Sequence, residues 1–208
     1  MRLSSEKVFD DIYEHDKWGF GSGHGSLPAA TKSYRFFLQN FLTNNDIKSV
    51  VDFGCGDWQF SKYINWDNVD YLGLETVSSL VEGNQEKYSK ANIRFAKSPN
   101  DFSKIPKADL LIVKDVLQHL ESEQIKDFAN KVLRNFHYAL ITNNVIPDTH
   151  LNIEIKTGLF RPLDLRKPPF SLKATAVHSF GRERPTISLR HFNVFNPWKE
   201  IVLLFESK

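Results

Sequence analysis

The stretch SVVDFGCGDWQFSKYI, residues 49–64, decides the fold. A β-branched apolar string that ends at Phe53 runs into two glycines one residue apart, Gly54 and Gly56, and then into a segment of helical character. In an open parallel sheet, ligands sit at the carboxyl ends of the strands, where a tight turn can aim backbone N–H groups at them. Gly54 and Gly56 therefore stand where a nucleotide-like ligand binds. The dinucleotide fingerprint, G-x-G-x-x-G, adds a third glycine so that the next helix packs close and a pyrophosphate rests on its N-terminus. Here that place is held by Gln59, preceded by Trp58, a bulky pair that counts against NAD or FAD.

Outward from this turn, short apolar strings recur at residues 49–53, 70–74, 93–96, 110–113 and 138–142, separated by segments long enough for helices. Two more strings, near 174–180 and 200–206, can complete the sheet. Strands alternating with helices imply a parallel sheet covered on both faces. The expected fold class is thus α/β: a Rossmann-like, doubly wound, mostly parallel seven-stranded sheet. Upstream, Pro28 leads a stretch in which Ala30, Tyr34, Phe37, Leu38, Phe41 and Leu42 recur at spacings of three and four, which predicts an amphipathic helix. The clearest helix follows the fourth string: Ser122 can cap it, and Ile125, Phe128, Ala129, Val132, Leu133 and Phe136 form one stripe, which reads as core.

With 208 residues and 41% hydrophobic content, the chain can bury the core of one medium domain and not two large ones. The expected organisation is one domain over 1–208: an N-terminal flap and helix (1–45), a ligand-binding core (46–145), and a substrate-side excursion with the last strands (146–208). The net charge of +2 gives no whole-chain field that calls for nucleic acid or an anionic membrane. The longest apolar run, residues 201–205, is far short of a membrane span, and the polar start has no signal-peptide core. A lone cysteine, Cys55, makes no internal disulfide, in keeping with a cytoplasmic protein. No cysteine cluster or paired histidines at ligand spacing points to a metal.

A second acid sharpens the ligand. Glu75 ends the string DYLGLE, twenty-three residues after Asp52, where a carboxylate can accept both hydroxyls of a ribose. A site that wants a ribose but no pyrophosphate resembles the class I S-adenosylmethionine-dependent methyltransferases, whose first motif reads much like VVDFGCGDW and whose second strand ends in an acid. KADLLIVKDVLQHL, residues 107–120, resembles that family's fourth strand and following loop, so the likeness covers roughly residues 48–145. By this resemblance the cofactor is S-adenosylmethionine: Asp52 supports the loop, Gly54, Cys55 and Gly56 let the backbone approach its methionine part, and Glu75 takes the ribose diol. Asp57 and Trp58 line the same pocket, and Asp115 and Val116 flank the methyl group or the adenine face. The family often meets the adenine amino group with an acid after the third strand; the nearest equivalent here is Pro99, with Asn100 and Asp101 beyond, a departure from that pattern. The opening KWGFGSGHGS, residues 17–26, is similar to small bacterial methyltransferases of unassigned substrate. Its glycines suit a flexible flap in which Trp18, Ser22 and Ser26 fold over a cofactor, aromatic faces favouring a sulfonium cation.

The acceptor side carries weaker signals. His119, after the fourth string, is the candidate catalytic base, with the alternative that it caps a helix or bonds backbone. His24 in the flap is a second candidate on the substrate side. Cys55 reads as a small buried residue in a crowded turn rather than a nucleophile. Residues 150–175 form a long excursion, and from Lys156 to Arg190 eight basic residues stand against two acids. That bias fits either a solvated face or a subsite for an anionic acceptor, with Arg161 and Arg166 as forked donors. Lys167-Pro168-Pro169-Phe170 is similar to a methyltransferase proline-aromatic motif but lies far from the fourth strand, so the prolines read as loop shaping.

The leading expectation is an enzyme that methylates an oxygen or nitrogen of a small-molecule or glycan-like acceptor, an anionic one where the basic segment serves as its subsite. Two alternatives are a catalytically silent cofactor-binding or scaffold module of the same fold, and a nucleic-acid methyltransferase. Neither nucleic acid nor a membrane is the expected partner.

Overall fold

The computed structural model describes residues 5–145, 151–181 and 199–206. Helix α1 (Ser5–Glu14) precedes a run of turns, and α2 (Lys32–Asn44) leads into β1 (Ser49–Phe53). Then follow β2 (Asp70–Glu75), α3 (Ser78–Tyr88), β3 (Ile93–Lys97), β4 (Leu110–Lys114), α4 (Ser122–Val132), β5 (Tyr138–Asn144), β6 (Thr175–Gly181) and β7 (Lys199–Glu206). They form a seven-stranded sheet in the order β3-β2-β1-β4-β5-β7-β6. β1 to β5 pair in parallel, and β7 runs antiparallel to both β5 and β6. The fold class expected from the sequence is the one observed. Strand order reverses between β1 and β4, so their carboxyl ends open a crevice, and there the glycine turn lies.

Alternation along the central strands divides the core in two. Val50, Leu110, Ile112 and Leu140 point to the face packed by α2 (Tyr34, Leu38, Leu42) and by Val81 of α3. Val51, Phe53, Leu111, Val113 and Ile141 point to the face packed by α4 (Ile125, Phe128, Val132). Strands buried on both sides read as near-continuous apolar runs, which is why these were visible in sequence. Glu121, not Ser122, caps α4: its side chain and that of Gln124 make a reciprocal capping box. The excursion does fold onto something, since Leu163, Leu165 and Phe170 join the α4-side core. Asn152 ties its ends, accepting from the Asp164 N–H and donating to the Asp164 and Pro168 carbonyls.

Helix α1 was not foreseen. Phe9 packs on the α4-side core, and Gly158 of the excursion approaches Val8 so closely that a Cβ would lie 2.5 Å from it. The expected flap is built rather than loose. Ser22 donates to Asp57 Oδ1 at 2.7 Å and accepts from the Asp57 N–H at 3.1 Å, and the Tyr13 hydroxyl lies 2.9 Å from the same Oγ. One hydroxyl thus bolts α1 and the flap to the glycine turn.

Candidate functional site

The glycine turn hangs from β2. Gly54 and Cys55 both donate their N–H to the Leu74 carbonyl, and Gly56 donates to Glu75 Oε2 at 2.9 Å. The turn therefore does not aim these amides at a ligand, a correction with a clear cause: they are used to hold the two strand ends together. What the glycines supply is close approach. Gly54 has φ 76° and a Cβ there would meet Val116 Cγ2 at 2.4 Å; Gly56 has φ 57° and a Cβ would meet Ser22 Oγ at 2.3 Å.

Above the turn is a cavity lined by Asp52, Gly54, Cys55, Gly56 and Glu75 from β1 and β2, and by Ser98, Pro99 and Asn100 after β3. Asp115, Val116 and His119 after β4 close its far side, and Phe9, Tyr13, Trp18, Ser22 and Ser26 form its roof. Of the residues expected to bind a cofactor, two stand elsewhere. Trp58 is 4% exposed and works behind the wall, donating to the Tyr71 hydroxyl at 2.9 Å, which in turn donates to Asp52 Oδ2 at 2.6 Å. Asp57 spends its carboxylate on Ser22 and Gln59.

The cavity is rich in acid. Among its lining residues Asp52, Glu75 and Asp115 stand against one ammonium, Lys114. Burial pushes the Asp52 carboxyl up to about 7, against the Tyr71 hydrogen bond that pulls it down. Burial also raises Glu75, opposed by N–H donors from Val77, Thr76 and Gly56 that orient its two oxygens. Lys114, missed in the sequence reading, is a buried hub. Its Nζ donates to the Gly25 carbonyl at 3.1 Å and pairs with Asp115 and with Glu200 Oε2 at 3.3 Å. Burial alone would lower this ammonium, but the two acids outweigh it and hold it above its usual range. Asp115 adopts φ 59°, a left-handed backbone that costs a non-glycine residue about 1 kcal/mol or more and marks a constrained position. The available signals were a lysine at the end of an apolar strand string and a glutamate at the start of another.

His119 lies in the turn after β4, between this cavity and a second, outer cleft. Its Nδ1 is 3.1 Å from the Leu159 carbonyl and its ring sits 4.7 Å from that of Trp18. The carbonyl requires the proton on Nδ1, which leaves Nε2 as an acceptor, and burial lowers the imidazole so that it is neutral near pH 7. His24 is exposed, stacks on Phe20 at 5.1 Å and lines only the outer cleft. Cys55 is buried and burial raises its thiol, leaving it inert.

The two arginines expected to hold an acceptor do not face either cavity. Arg161 is fully buried, donating to the carbonyls of Ile153 at 2.6 Å and Leu120 at 2.7 Å, so it braces the excursion against the start of α4. Arg166 forms a two-pronged pair with its near neighbour Asp164 at 2.9 and 2.8 Å. Arg182, Arg184 and Arg190 of the basic segment lie outside the described residues. Among the described residues no group of three or more His, Cys, Asp or Glu could hold a metal, and no helix is long and apolar enough to cross a membrane.

Compared by sequence, the chain matches no protein-family model and no curated protein. Compared by structure, it resembles many solved chains. One is a magnesium protoporphyrin IX methyltransferase from Synechocystis PCC 6803 with bound S-adenosylhomocysteine, with a TM-score of 0.61 at 15% identity over 98% of this chain and 100% of that one. Another is the N-terminal domain of EvdMO1, in the presence of S-adenosylhomocysteine and D-fucose, with a TM-score of 0.60 at 13% identity over the whole of both chains. A third is TehB from Haemophilus influenzae, with a TM-score of 0.59 at 14% identity over 96% of this chain and 67% of that one. The fold is that of the class I methyltransferases.

Proposed function

We propose that this chain is an S-adenosylmethionine-dependent methyltransferase acting on an oxygen or nitrogen of a small-molecule acceptor. The observation that carries the reading is the acid-lined cavity at the switch point of a methyltransferase fold. Three carboxylates against one ammonium favour a ligand that is a cation overall and disfavour one with a pyrophosphate. Glu75 fits a ribose, because its oxygens are held by backbone donors rather than by a cation and keep lone pairs facing the cavity. Ser98, Pro99 and Asn100 offer the adenine edge a polar wall without a carboxylate.

When bound, S-adenosylmethionine supplies a methyl on a sulfonium, whose carbon–sulfur electron pair stays with sulfur as an acceptor lone pair takes the carbon. The chain's own task is alignment, exclusion of water and disposal of one proton. Trp18 and the Ser22 turn roof the cavity, and His119, neutral and with Nε2 available, is placed to take the proton from the acceptor.

Thermal denaturation tests the cofactor. At about a hundredfold excess over its dissociation constant, a native-state ligand adds about 2.7 kcal/mol. S-adenosylmethionine and S-adenosylhomocysteine should each raise the midpoint by several degrees while NAD leaves it unmoved. A midpoint raised by NAD and not by either adenosyl ligand would remove the proposal.

A further inference from the structure

The turn that carries His119 is laced to the excursion. Gly158 donates its N–H to the His119 carbonyl at 2.9 Å, and Arg161 donates its N–H to the Gln118 carbonyl at 3.2 Å. Between those two bonds the Leu159 carbonyl turns back to the His119 ring, 3.1 Å from Nδ1. A carbonyl only accepts, so this contact keeps the imidazole proton on Nδ1 and the lone pair on Nε2. Without such a partner the two tautomers compete, because the hydrogen bond made by one ring nitrogen decides which of them carries the proton. The Leu159 carbonyl therefore has to be held in place. Its own turn is slight, closed by the Leu159 N–H on the Lys156 carbonyl at 3.1 Å, with the Leu159 and Phe160 side chains exposed.

The anchor of that turn is Arg161. Its guanidinium is wholly buried and joins two segments: Nη1 donates to the Ile153 carbonyl of the excursion at 2.6 Å, and Nη2 donates to the carbonyl of Leu120, the residue after His119, at 2.7 Å. Nη1 also reaches the Ser122 hydroxyl at 3.2 Å, while the acid paired with it, Glu154, lies 3.9 Å away. A buried cation without a close counter-charge is a costly way to fill space, whereas a rigid fork of donors can clamp carbonyls from two segments at once. Resting on the methyltransferase reading and deepening it, we propose that Arg161 is a positioning residue for the base: by clamping the excursion to Leu120 it holds the Leu159 carbonyl on His119 Nδ1, and so keeps Nε2 bare to receive the acceptor's proton. The arginine serves the acceptor through His119 and does not touch it.

Nitrogen-15 NMR of the full chain reads the tautomer directly, since a protonated and a bare ring nitrogen resonate far apart, and His119→Asn identifies the signal among the seven histidines. With the ring neutral, the wild type should carry the proton on Nδ1. Arg161→Met should give a mixture with a substantial Nε2–H form, and Arg161→Lys, which keeps the charge but not the fork, should lie between the two. Affinity for S-adenosylhomocysteine, measured by calorimetry, should be unchanged in both variants, because Arg161 lines neither cavity. A proton on Nε2 in the wild type, or Nδ1–H fully retained in a folded Arg161→Met chain, would overturn the proposal. If Arg161→Met does not fold, Arg161→Lys is read by the same rule. A tautomer change accompanied by lost affinity for S-adenosylhomocysteine would make Arg161 a general brace, and that also overturns it. Failure of S-adenosylhomocysteine to bind the wild type would remove the methyltransferase reading alone, because the tautomer is read without ligand.

Discussion

The two cavities share a wall yet are built in opposite ways. The cofactor side is made from strand ends: Asp52 and Glu75 are placed by the parallel register that sets Phe53 beside Leu74, and their carboxylates are oriented by Tyr71 and by backbone N–H groups. The outer cleft is made from connections, with Lys32, Ser33 and Phe36 from the start of α2, Phe160 from the excursion, and Glu200 from the antiparallel β7. A strand end can move only if the sheet moves, whereas a connection can change by substitution without cost to the core. The same contrast separates a cavity whose ligand the fold constrains from one whose ligand the side chains alone decide.

The hub between the cavities gives the largest expected effect. Lys114→Met removes the counter-charge of Asp115 and Glu200; burial already pushes the Glu200 carboxyl up to about 8, so it can keep its proton, and the loss falls toward the low end of the about 3–5 kcal/mol that breaking a buried pair costs. Urea unfolding should show that loss, and adding Glu200→Gln to the same chain should recover part of it. If Lys114→Met were neutral, the two cavities would not be mechanically joined there.

On the shared wall itself, His119→Asn should lower turnover by about a hundredfold or more while leaving the affinity for S-adenosylmethionine unchanged. Because burial lowers this imidazole, the wild-type rate should fall with acid only below the ordinary histidine value of about 6.5. An acid limb above that value would assign the proton to another group.

Deeper in the cofactor side, Glu75→Ala should weaken S-adenosylmethionine by about tenfold or more, since hydrogen bonds to a charged group are worth about 1.5–3 kcal/mol each. A smaller effect belongs to Asp52. Its carboxyl titrates at about 7 in the free protein, so a cationic ligand binds better once the proton has left. Affinity for S-adenosylmethionine should therefore rise from about pH 6 to about pH 8, by no more than about tenfold, and that for the uncharged thioether of S-adenosylhomocysteine should rise less. Equal pH slopes for the two would show that Asp52 does not sense the sulfonium.

Sequence legibility follows the same division. Strand limits were readable because β1, β4 and β5 are buried on both faces, and because β2 ends at Glu75 and β4 at Lys114, charged residues that close an apolar string. The acids of the cofactor side followed, since in a parallel sheet position along a strand is position in space. Helix α1 was missed although Val8, Phe9, Ile12 and Tyr13 recur at helical spacing, because its short apolar side is only partly buried. The outer cleft was unreadable for a different reason. Glu200 reaches Lys114 across eighty-six residues of sequence through an antiparallel pairing, and no local pattern announces such a meeting. Local basic bias pointed instead to Arg161 and Arg166, whose charges the fold spends on its own carbonyls and on Asp164.

The smallest effect should come from Arg166, one of the two arginines that the sequence offered to an acceptor. Its guanidinium meets Asp164 two residues away and is about one-third exposed, so the pair is screened and worth about 1 kcal/mol or less. Burial pushes the Asp164 carboxyl up, but the hydrogen bonds and charge of Arg166 outweigh it and hold it below the ordinary aspartate range. A carboxylate depressed in the folded state contributes stability above its unfolded value, and that contribution is lost as pH falls through the folded one. Arg166→Ala should therefore cost a fraction of a kilocalorie near pH 7, and the difference from wild type should vanish in acid. S-adenosylhomocysteine should bind the variant as it binds the wild type. A loss of affinity for an anionic acceptor in a protein of unchanged stability would move Arg166 into the outer cleft and restore an anion-directed acceptor side.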